Sequence, residues 1–173
     1  MHAIATDAAT SGRPPSSTSV SALMTRLVAT GHETAPLLAR IALGVVIFPH
    51  GAQKVLGWYG GHGFSATVGF MSGKLGIPIV FAVLAIAAEF LGSLGLLVGA
   101  LSRVAAFGIA MVMLVAIFMV HGNTGFFMNW TGAQHGEGYE YHLLALGLAI
   151  VVILRGAGAF SLDRMWTTRK RTP

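Results

Sequence analysis

Four apolar stretches with almost no charge inside them constrain this chain more than any other feature. They run over residues 36–56, 77–101, 104–120 and 141–154 of a 173-residue sequence. A bilayer's hydrocarbon core is about 30 Å thick and a helix rises about 1.5 Å per residue, so about 20 apolar residues cross it. The second stretch is long enough to cross with some tilt. The third is shorter, and the fourth reaches that length only with its flanks 140–143 and 155–160. Backbone polar groups find no water in hydrocarbon, so each stretch must cross as a helix. Charged residues make up 10% of the chain, against roughly 25% in soluble domains, which leaves much of the surface to lipid. The expected fold class is all-α: a transmembrane four-helix bundle over residues 36–160, between a tail 1–35 and a basic tail 161–173.

The basic residues choose an orientation. With the N-terminus in the cytoplasm, the inner side holds Arg13, Arg26, Arg40, Arg103, Arg155, Arg164, Arg169, Lys170 and Arg171, and the outer side only Lys54 and Lys74. Positive residues favour the cytoplasmic face, so both termini are expected there. Trp58, Tyr59, Trp130, Tyr139 and Tyr141 then gather at the outer interface, where amphipathic rings are favoured. The net charge of +5 lies in short stretches beside the spans. That pattern suits anionic membrane lipid rather than nucleic acid. No cysteine is present, which excludes disulfides, thiolate metal sites and cysteine-held iron–sulfur clusters. Electron chemistry would therefore need a bound cofactor or a partner protein. In the N-terminal tail, Val20, Leu23, Leu27 and Val28 recur at helical spacing. A short amphipathic helix and a tail without fixed structure both fit that spacing.

Small residues indicate how the helices pack. Ala82, Ala85, Ala88, Gly92, Gly95 and Gly99 form one stripe along the second helix, of the kind that lets helices in lipid approach closely. Gly44 and Gly51 share a face of the first helix with Arg40, Ile47 and Lys54. Pro49 cannot donate to the carbonyl of Val45, so a kink is expected below His50.

Ionisable groups inside a span are costly, face the bundle interior and mark function by default. His50 and Lys54 are i,i+4 near the outer end of the first helix, and Glu89 lies near the middle of the second. His121 closes the third helix; Glu140 and His142 open the fourth. A closed bundle brings these outer groups around one pocket with Glu89 as its floor. Glu89 and His50 are the candidate catalytic residues; Lys54, His121, Glu140, Tyr141, His142 and Trp58 are the candidate cofactor contacts. Blander readings stand beside these. Lys54 can snorkel to the interface, and His121, Glu140 and His142 can be ordinary interfacial groups. Arg40 suits either an inner anchor or an ion pair with Glu89. Glu89 resists dismissal, because a carboxylate at mid-membrane must be paired or protonated.

A quinone needs a flat apolar slot open to lipid and hydrogen-bonding groups at its oxygens, and His and Glu can supply the protons its reduction takes up. A haem would need two axial histidines at similar depth, which the spacing does not single out; no metal site is expected, since no ligand spacing marks one. Walker, Rossmann, zincin and nucleophile-elbow motifs do not occur. In the outer loop 57–76, Phe64, Val68 and Met71 are spaced like a short surface helix lying as a lid over the pocket.

Several segments together resemble the DoxX family of small bacterial membrane proteins. They are Arg40-Ile-Ala-Leu-Gly44, Phe48-Pro-His50-Gly51-Ala-Gln53-Lys54, Leu75-Gly-Ile-Pro78, Glu89-Phe-Leu-Gly92, Gly99-Ala-Leu-Ser-Arg103, Gly138-Tyr-Glu140-Tyr-His142 and Ser161-Leu-Asp163. The likeness covers about residues 37–165 and carries over Arg40, His50, Lys54, Glu89, Arg103, Glu140 and Tyr141 as motif residues. It implies a four-helix protein of the bacterial inner membrane. One branch of the family is similar to the membrane subunit of a thiosulfate:quinone oxidoreductase, and others are linked to membrane redox complexes. Fold transfers across such a family better than reaction does. The expected function is a quinone-linked redox subunit working with a partner protein; the alternative is a non-catalytic anchor or accessory subunit of a larger membrane complex.

Overall fold

A computed structural model describes residues 20–169, and every regular element in that range is helical. They are α1 (Val20–Val28), α2 (Thr34–Leu56), α3 (Gly63–Gly73), α4 (Ile79–Val98), α5 (Ser102–Ala116), α6 (Glu140–Arg155) and α7 (Leu162–Arg169). A π-helical turn, Ile117–His121, extends α5. Four helices close a bundle: α2 packs on α4 and α6, and α5 packs on the same two. The close contacts run in opposite senses along each neighbouring pair. Gly44 meets Leu97 while Gly51 meets Phe90, and Gly95 meets Ala105 while Gly108 meets Ala88. The helices therefore alternate up and down. Leu43, Ile47, Leu96, Ile109, Ala149 and Val152 fill the axis.

The protein is a multi-pass membrane protein. Three helices are long and apolar enough to span: Thr34–Leu56, Ile79–Val98 and Ser102–His121, the last including the π turn. The fourth apolar stretch forms α6, but its 16 residues make only about 24 Å of helix. Four helices long and apolar enough to span were expected, and three are. The helix cannot lengthen, because Gly156 leaves helical geometry at φ 84° and the loop before Glu140 is tied down by side-chain bonds described below. Large apolar side chains point outward all along α4, among them Phe81, Leu84, Leu91 and Val98, as a lipid-facing surface requires.

Charged side chains lock the end of the bundle that carries α1 and α7. Arg40, 1% exposed, donates Nε to Ala157 O (2.8 Å), Nη1 to Leu96 O (2.7 Å) and Leu97 O (2.9 Å), and Nη2 to Ala159 O (3.2 Å) and Phe160 O (2.5 Å). The cation thus sits on the carbonyl end of α4, where the helix dipole is negative. Arg103 does the same for α6, donating to Ile153 O and Leu154 O, and it reaches Ala29 O as well. Asp163 is the complement. Its carboxylate accepts from Leu101 N (2.7 Å) and Ser102 N (2.9 Å), capping the first turn of α5 from about sixty residues away. Arg40 therefore does not pair with Glu89. The helix α1 packs on α7 and α5, with Val28 buried and Leu23 exposed. The expected tail before residue 20 lies outside the described residues.

Candidate functional site

At the opposite end of the bundle from Arg40 lies a cavity of about 760 Å³, walled by α2 to α6 and the π turn. The apolar part of its wall is rich in methionine. Met71, Met111, Met113, Met119 and Met128 line it, five of the chain's eight; such side chains adapt to irregular ligands. Its lining also includes Phe81, Leu84, Phe107 and Met111, each well exposed on the outer faces of α4 and α5. The cavity therefore runs from the bundle interior out to the lipid-facing surface.

The inner corner is polar. Lys54 Nζ lies 2.6 Å from Glu89 Oε2, with the Glu89 side chain 6% exposed and that of Lys54 30%. Gly51 brings this pair together. A Cβ there would stand 2.6 Å from Phe90 Cα and 2.8 Å from the carbonyl carbon of Glu89, so only glycine lets α2 and α4 approach so closely. One helical turn on, Lys54 then meets Glu89 across the interface. Lys54 is thus an ion-pair partner inside the bundle, not a free snorkelling cation.

Four aromatic rings complete the corner. The His50 and Tyr141 rings are 6.0 Å apart, Tyr141 and His142 5.4 Å, and His121 and His142 4.3 Å. The π turn supplies His121: Gly122 N donates to Ile117 O (2.7 Å), and the wider turn swings the residues after it around the helix axis. His121 Nδ1 is also 2.8 Å from Glu137 O. Among the described residues, five buried side-chain atoms lack a hydrogen-bond partner. Three of them, Glu89 Oε2, Tyr141 Oη and His142 Nδ1, belong to residues of this cavity; the first has only its ionic contact with Lys54. Unpaired buried polar atoms are costly, and their convergence marks a place where a polar ligand group would be stabilised.

Six of the eight candidate residues line this cavity: Glu89, His50, Lys54, His121, Tyr141 and His142. Two do not. Glu140 accepts from Met128 N (2.9 Å) and Trp130 Nε1 (3.0 Å), so it fastens the loop 122–139 to the start of α6. Trp58 is 53% exposed, edge-on to Tyr59 at 6.3 Å, because α2 ends in a left-handed Gly57 that turns the chain outward. The surface helix expected in this loop forms as α3, but of the face Phe64, Val68 and Met71 only Met71 lines the cavity, together with Thr67 and Phe70. Sequence reasoning missed Glu137 and the methionine wall; the concentration of Met between residues 111 and 128 was the available signal. Among the described residues, no group of three His, Asp or Glu side chains is placed to hold a metal ion.

The DoxX family profile matches residues 35–122, just over half of the chain, from α2 through the π turn. The match takes in His50, Lys54, Glu89 and His121; Tyr141 and His142 lie beyond it. No curated protein and no solved structure matches the chain.

Proposed function

This chain belongs to the DoxX family of membrane proteins, and on that premise we propose that it is the quinone-binding membrane subunit of a redox system. The observation that carries the reading is the cavity: apolar walls that reach the lipid surface, ending at a corner where two buried polar atoms, Tyr141 Oη and His142 Nδ1, have no partner beside the Lys54–Glu89 ion pair. A quinone has this same division, an apolar tail in the bilayer and a ring with two oxygens that needs hydrogen-bonding groups. Tyr141 and His142 face the ring oxygens. Glu89, held by Lys54, and His50 handle the two protons that accompany two-electron reduction to the quinol. The electrons come from a partner protein, since the chain has no cysteine to hold a cluster.

The same proposal places the chain in a bacterial inner membrane with both termini in the cytoplasm. Its support is that α1, before the first span, packs against α7, after α6; Thr167 Oγ1 donates to Val28 O across that contact. Three crossings would leave these helices on opposite sides, so α6 serves as the fourth pass, completed by its flanks. Arg26, Arg155 and Arg164 then face the cytoplasm and Lys74 the outside, in the sense that positive residues favour.

A non-catalytic accessory subunit is the second reading, favoured by the use of Arg40, Arg103 and Asp163 solely to lock helix ends. One experiment separates the two. The protein is purified in mild detergent and its bound lipid extracted for quinone analysis by mass spectrometry, alongside Glu89→Gln. The quinone reading expects near-stoichiometric quinone in the wild type, lost in the variant. Absence of enriched quinone in a folded wild-type protein overturns it and leaves the accessory role.

A further inference from the structure

Helix α7 is amphipathic in the reverse sense to a helix of a water-soluble protein. Two of its polar side chains face the protein: Asp163, 1% exposed, caps α5, and Thr167 donates to Val28 O (3.1 Å) and Asp163 O (2.8 Å). Its apolar side chains face away. Leu162, Met165 and Trp166, at i, i+3 and i+4, are 38%, 53% and 46% exposed, and Phe160 just before them is 85% exposed. Phe160 is held outward by a left-handed backbone, φ 48°, an unfavourable conformation for a bulky residue. Such a ridge in water is a liability; in the boundary between acyl chains and headgroups it is the stable arrangement, and Trp is enriched there.

The ridge borders a groove of about 400 Å³ lined by Val98, Phe160, Leu162, Arg164 and Met165, among others. Val98 ends α4 and is 54% exposed; Leu94 and Leu91, one and two turns before it, are exposed on the same side. An acyl chain lying along this lipid-facing strip reaches the groove. At its polar rim stands Arg164, whose guanidinium has one partner among the described residues, the ring of His32, at 2.7 Å from Nη2 to Nε2. Its other N–H groups are free to donate, and a guanidinium matches phosphate oxygens in charge and geometry.

We propose that α7 is an interfacial helix and that the groove between it and the end of α4 holds an anionic phospholipid of the adjoining leaflet, its acyl chain over Val98, Phe160 and Met165 and its phosphate on Arg164. The site lies at the far end of the bundle from the cavity and does not depend on the quinone reading. It anchors α7, and so the Asp163 cap on α5, to the membrane surface.

The test uses the full chain in vesicles of phosphatidylcholine with one quarter phosphatidylglycerol. The protein has three tryptophans, and replacing Trp58 and Trp130 with Phe leaves Trp166 as the reporter. Emission from Trp166 quenched by lipids brominated near the headgroup, and shielded from aqueous acrylamide, is the expected result; free acrylamide quenching without bromolipid quenching overturns the interfacial helix. Should the double variant not fold, the difference between the wild type and Trp166→Phe gives the same readout. Native mass spectrometry tests the phosphate. Arg164→Gln is expected to lower the preference for phosphatidylglycerol over phosphatidylcholine about fivefold, with the exposed Arg155→Gln as control. Equal lipid preference in the wild type and Arg164→Gln, or an equal fall in both variants, overturns the phosphate site.

Discussion

Lys54 and Glu89 show how a single pair makes a membrane interior tolerate charge. Each would be costly alone in a low-dielectric bundle, and each removes the other's need to shed its charge. The contact is 2.6 Å with Glu89 almost fully buried, so removing one partner strands the other. We expect Lys54→Met and Glu89→Gln each to destabilise the detergent-solubilised protein by about 2–4 kcal/mol, and the double variant to cost less than the sum of the two. Thermal melts monitored by gel filtration would measure this cycle; strict additivity would mean the pair is not coupled. Position and residue type were legible here, since His50, Lys54 and Glu89 are ionisable groups inside apolar stretches. The partner was not. Arg40 and Lys54 are both cations on the α4-facing side of α2, and only the antiparallel register puts Lys54 beside Glu89 and Arg40 beside the carbonyls of Leu96 and Leu97.

Among the elements, α2 and α4 set the distance on which the cavity corner depends. Gly51 has no room for a Cβ: the nearest backbone atoms would be 2.6–2.8 Å away, and backbone cannot move aside as a side chain can. Gly51→Ala is therefore expected to spread the two helices and cost about 1–3 kcal/mol by overpacking. It should also weaken the Lys54–Glu89 contact one turn away. Gly147, with nothing near its Cβ direction, is the control, and Gly147→Ala should leave the melting temperature unchanged or raised. A Gly51→Ala variant as stable as the wild type would contradict so close an approach. The glycines and alanines of α2 and α4 were readable as packing faces. The π turn was not, because an extra residue in one turn leaves no mark in a 3.6-residue pattern, and it is this turn that brings His121 to His142.

For the molecule as a whole, the packing of α1 on α7 ties both described ends of the chain to one end of the bundle. The absence of cysteine makes a topology test clean, since any introduced thiol is the only one. Glu33→Cys, an exposed site near α1, is expected to react with a membrane-impermeant maleimide only after the cells are opened. Thr131→Cys in the exposed loop before α6 is expected to react in spheroplasts. The opposite pattern would invert the orientation, and labelling of both from one side would mean that α2, α4 and α5 do not each cross the membrane.

What the sequence determined by itself is what depends on composition along the chain: an all-helical membrane protein, the positions of its apolar stretches, the faces of small residues and the ionisable groups that gather at one end. These follow from hydrocarbon thickness and helical periodicity, both local properties. The tertiary structure decided the rest. It divided the polar residues into a cavity corner of Glu89, Lys54, His50, Tyr141, His142 and His121, a loop fastening by Glu140, and a set of helix-end locks by Arg40, Arg103 and Asp163. It also showed that α6 is too short by itself to match the other three spans. The physical reason is that a charged group's role is fixed by whichever carbonyl, amide or counter-charge lies within about 3 Å of it, and that neighbour is set by helix register and close approach, which no single stretch of sequence contains.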